Sequence, residues 1–149
     1  MNYEDVKTRI KKNEGFIAKV YLDSLGKATI GYGHLLTEED DFVEGVIYDK
    51  DILEELFDKD FNKAKQGMEE LVGTSPLPML VKGVIIEMVY QLGKTGVSKF
   101  KNMFAALNEY DYTRGAAEMI NSINQCEAAI KEQFKEIKYE AIRNCSDDF

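Results

Sequence analysis

Residues 14–34 read EGFIAKVYLDSLGKATIGYGH, and how this stretch is read decides the fold. From Val20 to Leu36, β-branched and aromatic residues are interrupted by glycines, and Asp23-Ser24-Leu25-Gly26-Lys27 supplies turn material between them. That texture predicts a small antiparallel sheet, with Ala28 to Tyr32 as its clearest strand. The same stretch carries Glu14, then Asp23 nine positions on, then Thr29 six positions further. Two readings stand at this point: a hairpin that happens to carry two acids, or two carboxylates and a hydroxyl held together for chemistry.

Toward the N-terminus, residues 3–12 (YEDVKTRIKK) place Val6 and Ile10 four apart. One apolar face at that spacing predicts a short helix that runs out near Asn13, Glu14 and Gly15, leaving Glu14 at a helix end. Toward the C-terminus, Thr37-Glu38-Glu39-Asp40 has the form of a capping box, so this acidic cluster is expected to start a helix rather than hold a cation. The longest periodic segment runs from about Asp49 to Val72, with Ile52, Leu53, Leu56, Phe57, Phe61, Ala64, Met68 and Leu71 at spacings of three and four. At ~1.5 Å per residue it is about 35 Å long, enough to join two lobes. Both prolines of the chain, Pro76 and Pro78, fall just after it and end it. The remainder is helical in texture: a segment up to Gly93, a break at Gly93-Lys94-Thr95-Gly96, a stretch over 100–112, and a last one from about Thr113 to Ile142. A small sheet in front and helices behind make the expected class α+β.

Composition narrows the function. The chain has 149 residues, 27 acidic against 19 basic, and a formal net charge of -8. One domain of that length buries a substantial core without disulfides or metal. Its three arginines, Arg9, Arg114 and Arg143, form no basic stripe, which argues against nucleic acid as a partner. Cys126 and Cys145 have no CxxC or Cys/His spacing and read as free thiols. The start MNYEDVKTRIKK carries charges where a signal peptide needs an apolar run, and no window approaches a membrane span. A soluble cytosolic product, a monomer without stable membrane association, is expected.

Three motif matches fail. Gly93-Lys94-Thr95 has Met88 where a P-loop needs its first glycine. Gly31-Tyr32-Gly33 continues to Leu36 where a dinucleotide fingerprint needs glycine, and Asp23-Ser24-Leu25-Gly26 lacks the alternating acids of a calcium loop. His34 is the single histidine and has no second His or Cys at ligand spacing, so a structural, hydrogen-bonded role is its default reading and no metal or other cofactor is expected. What remains is the acid pair. Two carboxylates near one cleft support glycoside hydrolysis when one is held protonated and donates to the leaving oxygen while the other stays ionised. A helix-end glutamate followed by a hairpin that returns an aspartate and a threonine would build such a site on rigid elements.

The strings EG, YLD and GKATIGYGHLLT, followed by GVI at 45–47, LFDKDF at 56–61 and IEMVYQLGKTGVSKF at 86–100, resemble in order and spacing the phage-type lysozymes of the T-even coliphage endolysin family, glycoside hydrolase family 24. The resemblance covers roughly Tyr3 to Ser122. It implies a single lysozyme-like domain over 1–149 with two lobes: a sheet-bearing lobe over about 14–60, and a helical lobe over about 72–149 that the helix at 1–12 also joins. The inter-lobe helix would span about 49–72. It implies muramidase activity on peptidoglycan, with Glu14 matching the general acid, Asp23 the second carboxylate and Thr29 the hydroxyl that helps place water. Leu35, Tyr90 and Gln91 match positions that line the sugar cleft, and His34 matches a histidine that pairs with an acid on the long helix, here Asp60. Lacking an export signal, such an enzyme would leave the host cytoplasm through a membrane lesion made by another protein.

Two departures keep a second class open, a non-catalytic lysozyme-like protein that binds glycan or forms part of a phage particle. The family's arginine near the catalytic glutamate has no counterpart in NSINQCEAAIKEQFKE, where Asn124 and Gln125 could face the cleft. The negative charge should also slow association with an anionic wall at low salt. The intact set of Glu14, Asp23 and Thr29 favours catalysis.

Overall fold

Asn2 and Asp5 open the first helix by exchanging bonds, each backbone N–H donating to the other's side chain at 2.9 Å. In this computed structural model, which describes residues 1–23 and 26–125, α1 covers Tyr3–Glu14. Three strands follow, β1 (Ile17–Leu22), β2 (Ala28–Gly31) and β3 (His34–Leu35), then the helices α2 (Lys50–Val72), α3 (Met79–Ser98), α4 (Lys101–Asn108) and α5 (Tyr112–Gln125). The class is α+β, as the sequence texture predicts. Cys126 and Cys145 lie outside the described residues, as do the helical stretch expected beyond Gln125 and the side chains of Asn124 and Gln125.

The chain divides into two compact units, Lys7–Asn62 and Met1–Val6 with Lys63 onward, and both α1 and α2 cross the boundary in sequence. The first unit holds the antiparallel sheet in the order β1-β2-β3. Ile10, Ile30, Leu53, Phe57 and Phe61 form its core. Tyr32 joins them, its ring 5.0 Å from Phe16 and 5.3 Å from Phe57 between centroids. At Tyr32 the phenol also donates to Glu54 Oε1 at 2.6 Å, and Glu54 Oε2 receives Lys11 Nζ at 2.6 Å. Burial and then the bond to Glu54 push the Tyr32 pKa up to about 12, so this phenol stays a donor throughout the neutral range.

The second unit is helical. Its core runs through Met68, Val81, Val84, Ile85, Met88, Phe100, Met103, Leu107 and Met119. Gly67 on α2 lets α3 approach closely, since a Cβ there would fall 2.9 Å from Val89 Cγ1. Gly93 (φ 79, ψ 159) breaks the helical conformation inside α3 where the Gly-Lys-Thr-Gly sequence predicts a break. Gly73 (φ 59) closes α2 with its N–H on the Glu69 carbonyl. No helix among the described residues is long and apolar enough to cross a membrane.

One expectation is corrected. Thr37–Asp40 makes one of the two bonds of a capping box, the Thr37 N–H donating to Asp40 Oδ2 at 2.8 Å, but the Asp40 N–H goes to the Thr37 carbonyl, only a turn follows and the next helix starts at Lys50. Asp40 Oδ2 is shared with His34 Nε2, and the downstream segment takes a left-handed glycine at Gly45 (φ 86) instead of helical dihedrals.

Candidate active site

Glu14 is the last residue of α1, and Gly15 after it takes φ 73 with its N–H on the Lys11 carbonyl. A left-handed residue there stops the helix and turns the chain into β1, which leaves the half-buried Glu14 at the corner. Its carboxyl lies against the backbone of Gly33. A Cβ built on Gly33 would fall onto Glu14 Oε2 and within 3.1 Å of Cδ, and Gly33 itself has φ 73. The backbone conformation therefore favours glycine at 33, and any side chain there would displace the Glu14 carboxyl.

Asp23 and Thr29 are tied to one residue of the β1–β2 turn. The Lys27 N–H donates to Asp23 Oδ1 at 2.8 Å, and the Thr29 hydroxyl donates to the Lys27 carbonyl at 2.9 Å. The Asp23 N–H closes the turn on the same carbonyl oxygen at 2.9 Å. The lone proton of the Thr29 hydroxyl is thus committed, and toward any further group this oxygen is an acceptor. Thr29 is buried at the centre of the sheet, opposite Tyr21 on β1 and opposite Leu35 on β3. Leu35 is 44% exposed, an apolar surface across the strand pair from Thr29.

Tyr21 reports where the carboxylates are. Burial raises its pKa first, and the charges of Glu14 and then Asp23 raise it further. The phenol thus lies within electrostatic reach of both acids, which stand on either side of β1 in sequence. Glu14, Asp23, Thr29 and Leu35 all belong to the sheet-bearing unit, where Asp23 and Thr29 are joined through Lys27 and Leu35 pairs with Thr29. Tyr90 and Gln91 belong to the helical unit, where both are half-buried on α3 just before Gly93.

His34 is not part of that group in its bonding. Its Nδ1 lies 2.7 Å from Asp60 Oδ2 and its Nε2 2.9 Å from Asp40 Oδ2. The Asp60 partnership is the one anticipated by resemblance. The second acid, Asp40, was hidden behind its capping-box appearance. Gly33 and Tyr21 also escape the sequence reading: Gly33 looks like one more turn glycine, and Tyr21 owes its position to an irregularity of strand register. Among the described residues, no group of three His, Cys, Asp or Glu side chains is arranged to hold a metal ion.

Comparison with known proteins gives a consistent picture. The phage lysozyme family matches residues 11–140. Two proteins of Dictyostelium discoideum are similar over most of their length. "Probable T4-type lysozyme 2" is 30% identical over 140 residues, covering 78% of this chain and 82% of that protein. "Probable T4-type lysozyme 1" is 31% identical over 141 residues with the same coverage.

Proposed function

The chain belongs to the phage lysozyme family, and on that premise we propose that it is a muramidase that hydrolyses the β-1,4 bond between N-acetylmuramic acid and N-acetylglucosamine in bacterial peptidoglycan. Glu14 is the general acid and gives its proton to the leaving glycosidic oxygen. Asp23 is the base that draws a proton from an attacking water, and Thr29 helps to place that water. Attack by water from the face opposite the leaving group inverts the anomeric centre. Sugar contacts are assigned to Leu35 on β3 and to Tyr90 and Gln91 on α3. The wall is reached after another protein has opened the membrane.

The observation that carries this reading is the shared anchoring of Asp23 and Thr29 on Lys27. One Asp23 oxygen is held by the Lys27 N–H and the Thr29 proton by the Lys27 carbonyl, so a carboxylate and a hydroxyl oxygen are pre-set as two acceptors for one water. Preset acceptors lower the barrier by removing reorganisation at the moment of attack. Gly33 supports the other half, because the Glu14 carboxyl packs against its backbone and is held at the end of α1.

The test is clearing of purified bacterial cell walls by the parent and by Glu14→Gln, with analysis of the released reducing ends. General acid catalysis contributes on the order of 10²–10⁴ in rate. Loss of clearing on that scale, with an unchanged unfolding transition, is the expected result. A Glu14→Gln protein that clears within a few-fold of the parent overturns the assignment, and a folded parent that binds walls without cleaving them identifies the non-catalytic class.

A further inference from the structure

The register of β1 contains a displacement that carries a functional consequence. Ile17 pairs with Gly31 and Tyr21 pairs with Thr29, so four steps along β1 answer two steps along β2. Unbroken pairing from Ile17 and Gly31 would set Lys19 opposite Thr29. The bulge instead brings Tyr21 there, and bulges commonly re-aim a side chain in this way. Directly opposed residues of antiparallel strands project from the same face, so Tyr21, Thr29 and Leu35 form one row across the sheet. Asp23 lies two residues beyond Tyr21, just past the end of β1, where its N–H still closes on the Lys27 carbonyl.

The hydrogen-bond requirements of a nucleophilic water show what such a neighbour is for. In the muramidase reading, on which this inference rests, the water donates one hydrogen to Asp23 and the other to Thr29, whose own proton is spent on the Lys27 carbonyl. Two lone pairs remain. One attacks the anomeric carbon and the other needs a donor, and neither Asp23 as a base nor Thr29 with its committed proton can supply it. We propose that Tyr21 is the water-positioning donor of this site, its phenol O–H bonding to the remaining lone pair and aiming the attacking one. The phenol keeps its proton throughout. The C1–O glycosidic bond breaks with its electron pair going to the leaving oxygen, that oxygen takes the Glu14 proton, and the water proton passes to Asp23 as its oxygen bonds to C1. Burial and the two carboxylates both oppose ionisation of Tyr21, which is the condition a donor must meet at this position.

Tyr21→Phe removes the hydroxyl and keeps the ring. With soluble peptidoglycan fragments as substrate, the expected outcome is a fall in kcat of about tenfold or more, the factor that one hydrogen bond of ordinary strength represents, with KM within twofold and an unchanged unfolding temperature. A kcat within twofold of the parent, or a loss carried by KM, overturns the proposal. A fluorinated tyrosine at 21, nearly isosteric and still an O–H donor at neutral pH, supplies a second readout: it should keep kcat within a few-fold of the parent, and a loss like that of Tyr21→Phe overturns the proposal as well. Glu14→Gln, run in parallel, separates this failure from that of the muramidase reading, since activity in that variant removes the reading whatever Tyr21 does.

Discussion

Replacing Asp60 by asparagine should destabilise the protein in mildly acidic solution and leave it nearly unaffected in alkaline solution. Both ring nitrogens of His34 face carboxylate oxygens, Asp60 at 2.7 Å and Asp40 at 2.9 Å. Only the imidazolium has two N–H donors, so a neutral ring would turn a lone pair toward one of the acids. The bond to Asp60 is the largest influence on His34 and raises its pKa; burial pulls the other way, and the bond to Asp40 adds to the rise. At Asp40, burial alone would raise the pKa, but the Thr37 N–H and His34 outweigh it and hold the carboxyl below its ordinary value. A raised histidine contributes stability that is complete below its ordinary pKa of 6.5 and is lost as pH climbs through the folded value. A lowered aspartate contributes stability above its ordinary 3.8 and loses it as pH falls through its folded value. Both contributions are therefore complete between those two ordinary values. The side chains of His34 and Asp60 are 15% and 24% exposed, so solvent screening is limited. The asparagine amide oxygen of the variant can still accept from Nδ1–H, and the change is from an ion pair to a bond with one charged partner, about 1.5 kcal/mol. For a chain of this size that corresponds to a fall in Tm of about 5 °C near pH 5.5. Thermal unfolding from pH 4 to 9, together with the NMR titration of the chain's single histidine, measures both sides of the linkage. A destabilisation that persists undiminished at pH 9, or a His34 that titrates at the same pH in Asp60→Asn and parent, would refute the reasoning.

Gly33→Ala should harm activity more than stability. The added Cβ meets the Glu14 carboxyl, and a misplacement of about 1 Å at a reacting group costs on the order of 10²-fold, whereas an alanine at positive φ costs about 1–2 kcal/mol. Wall clearing and urea unfolding of the same sample separate the two, and a variant that keeps full activity would show that Glu14 does not need its present seat. Glu54→Gln should weaken the Lys11–Glu54–Tyr32 chain of bonds by about 1–3 kcal/mol at neutral pH. The hydrogen bond from Lys11, and after it the one from Tyr32, lowers the Glu54 pKa against the opposing pull of burial. The parent's advantage over this variant is present above the ordinary 4.5 of a glutamate and disappears as pH falls through the lowered value. Urea midpoints at pH 7 and in strong acid measure it, and equal differences at both would contradict the ion-pair origin.

What the sequence discloses and what it conceals follow from the range of the forces involved. The long helix is legible because its apolar spacing repeats over 23 residues and glycine and proline stand at its end. Glu14 at a helix end is legible for the same reason, since Gly15 is a local stop signal. Asp40 is misread because the bond it accepts from the Thr37 N–H is that of a helix start, while its deciding partner, His34, is seen only once the chain is folded. Lys11 and Tyr32 meet at Glu54 from 43 and 22 residues away, beyond any local window.

Tyr21 is the most instructive concealment. Period-two alternation places Lys19 opposite Thr29, and only the observed pairings at Ile17 and at Tyr21 reveal the displacement. A cation at that position would also stabilise two nearby carboxylates, and would do so by favouring their ionised forms. That would suit Asp23, the base, and work against Glu14, the acid. A half-buried phenol gives a donor without a charge, so it can orient a water for Asp23 while leaving Glu14 able to keep its proton. The register displacement thus exchanges a group that would equalise the two acids for one that leaves them distinct, and a two-carboxylate mechanism depends on that distinction.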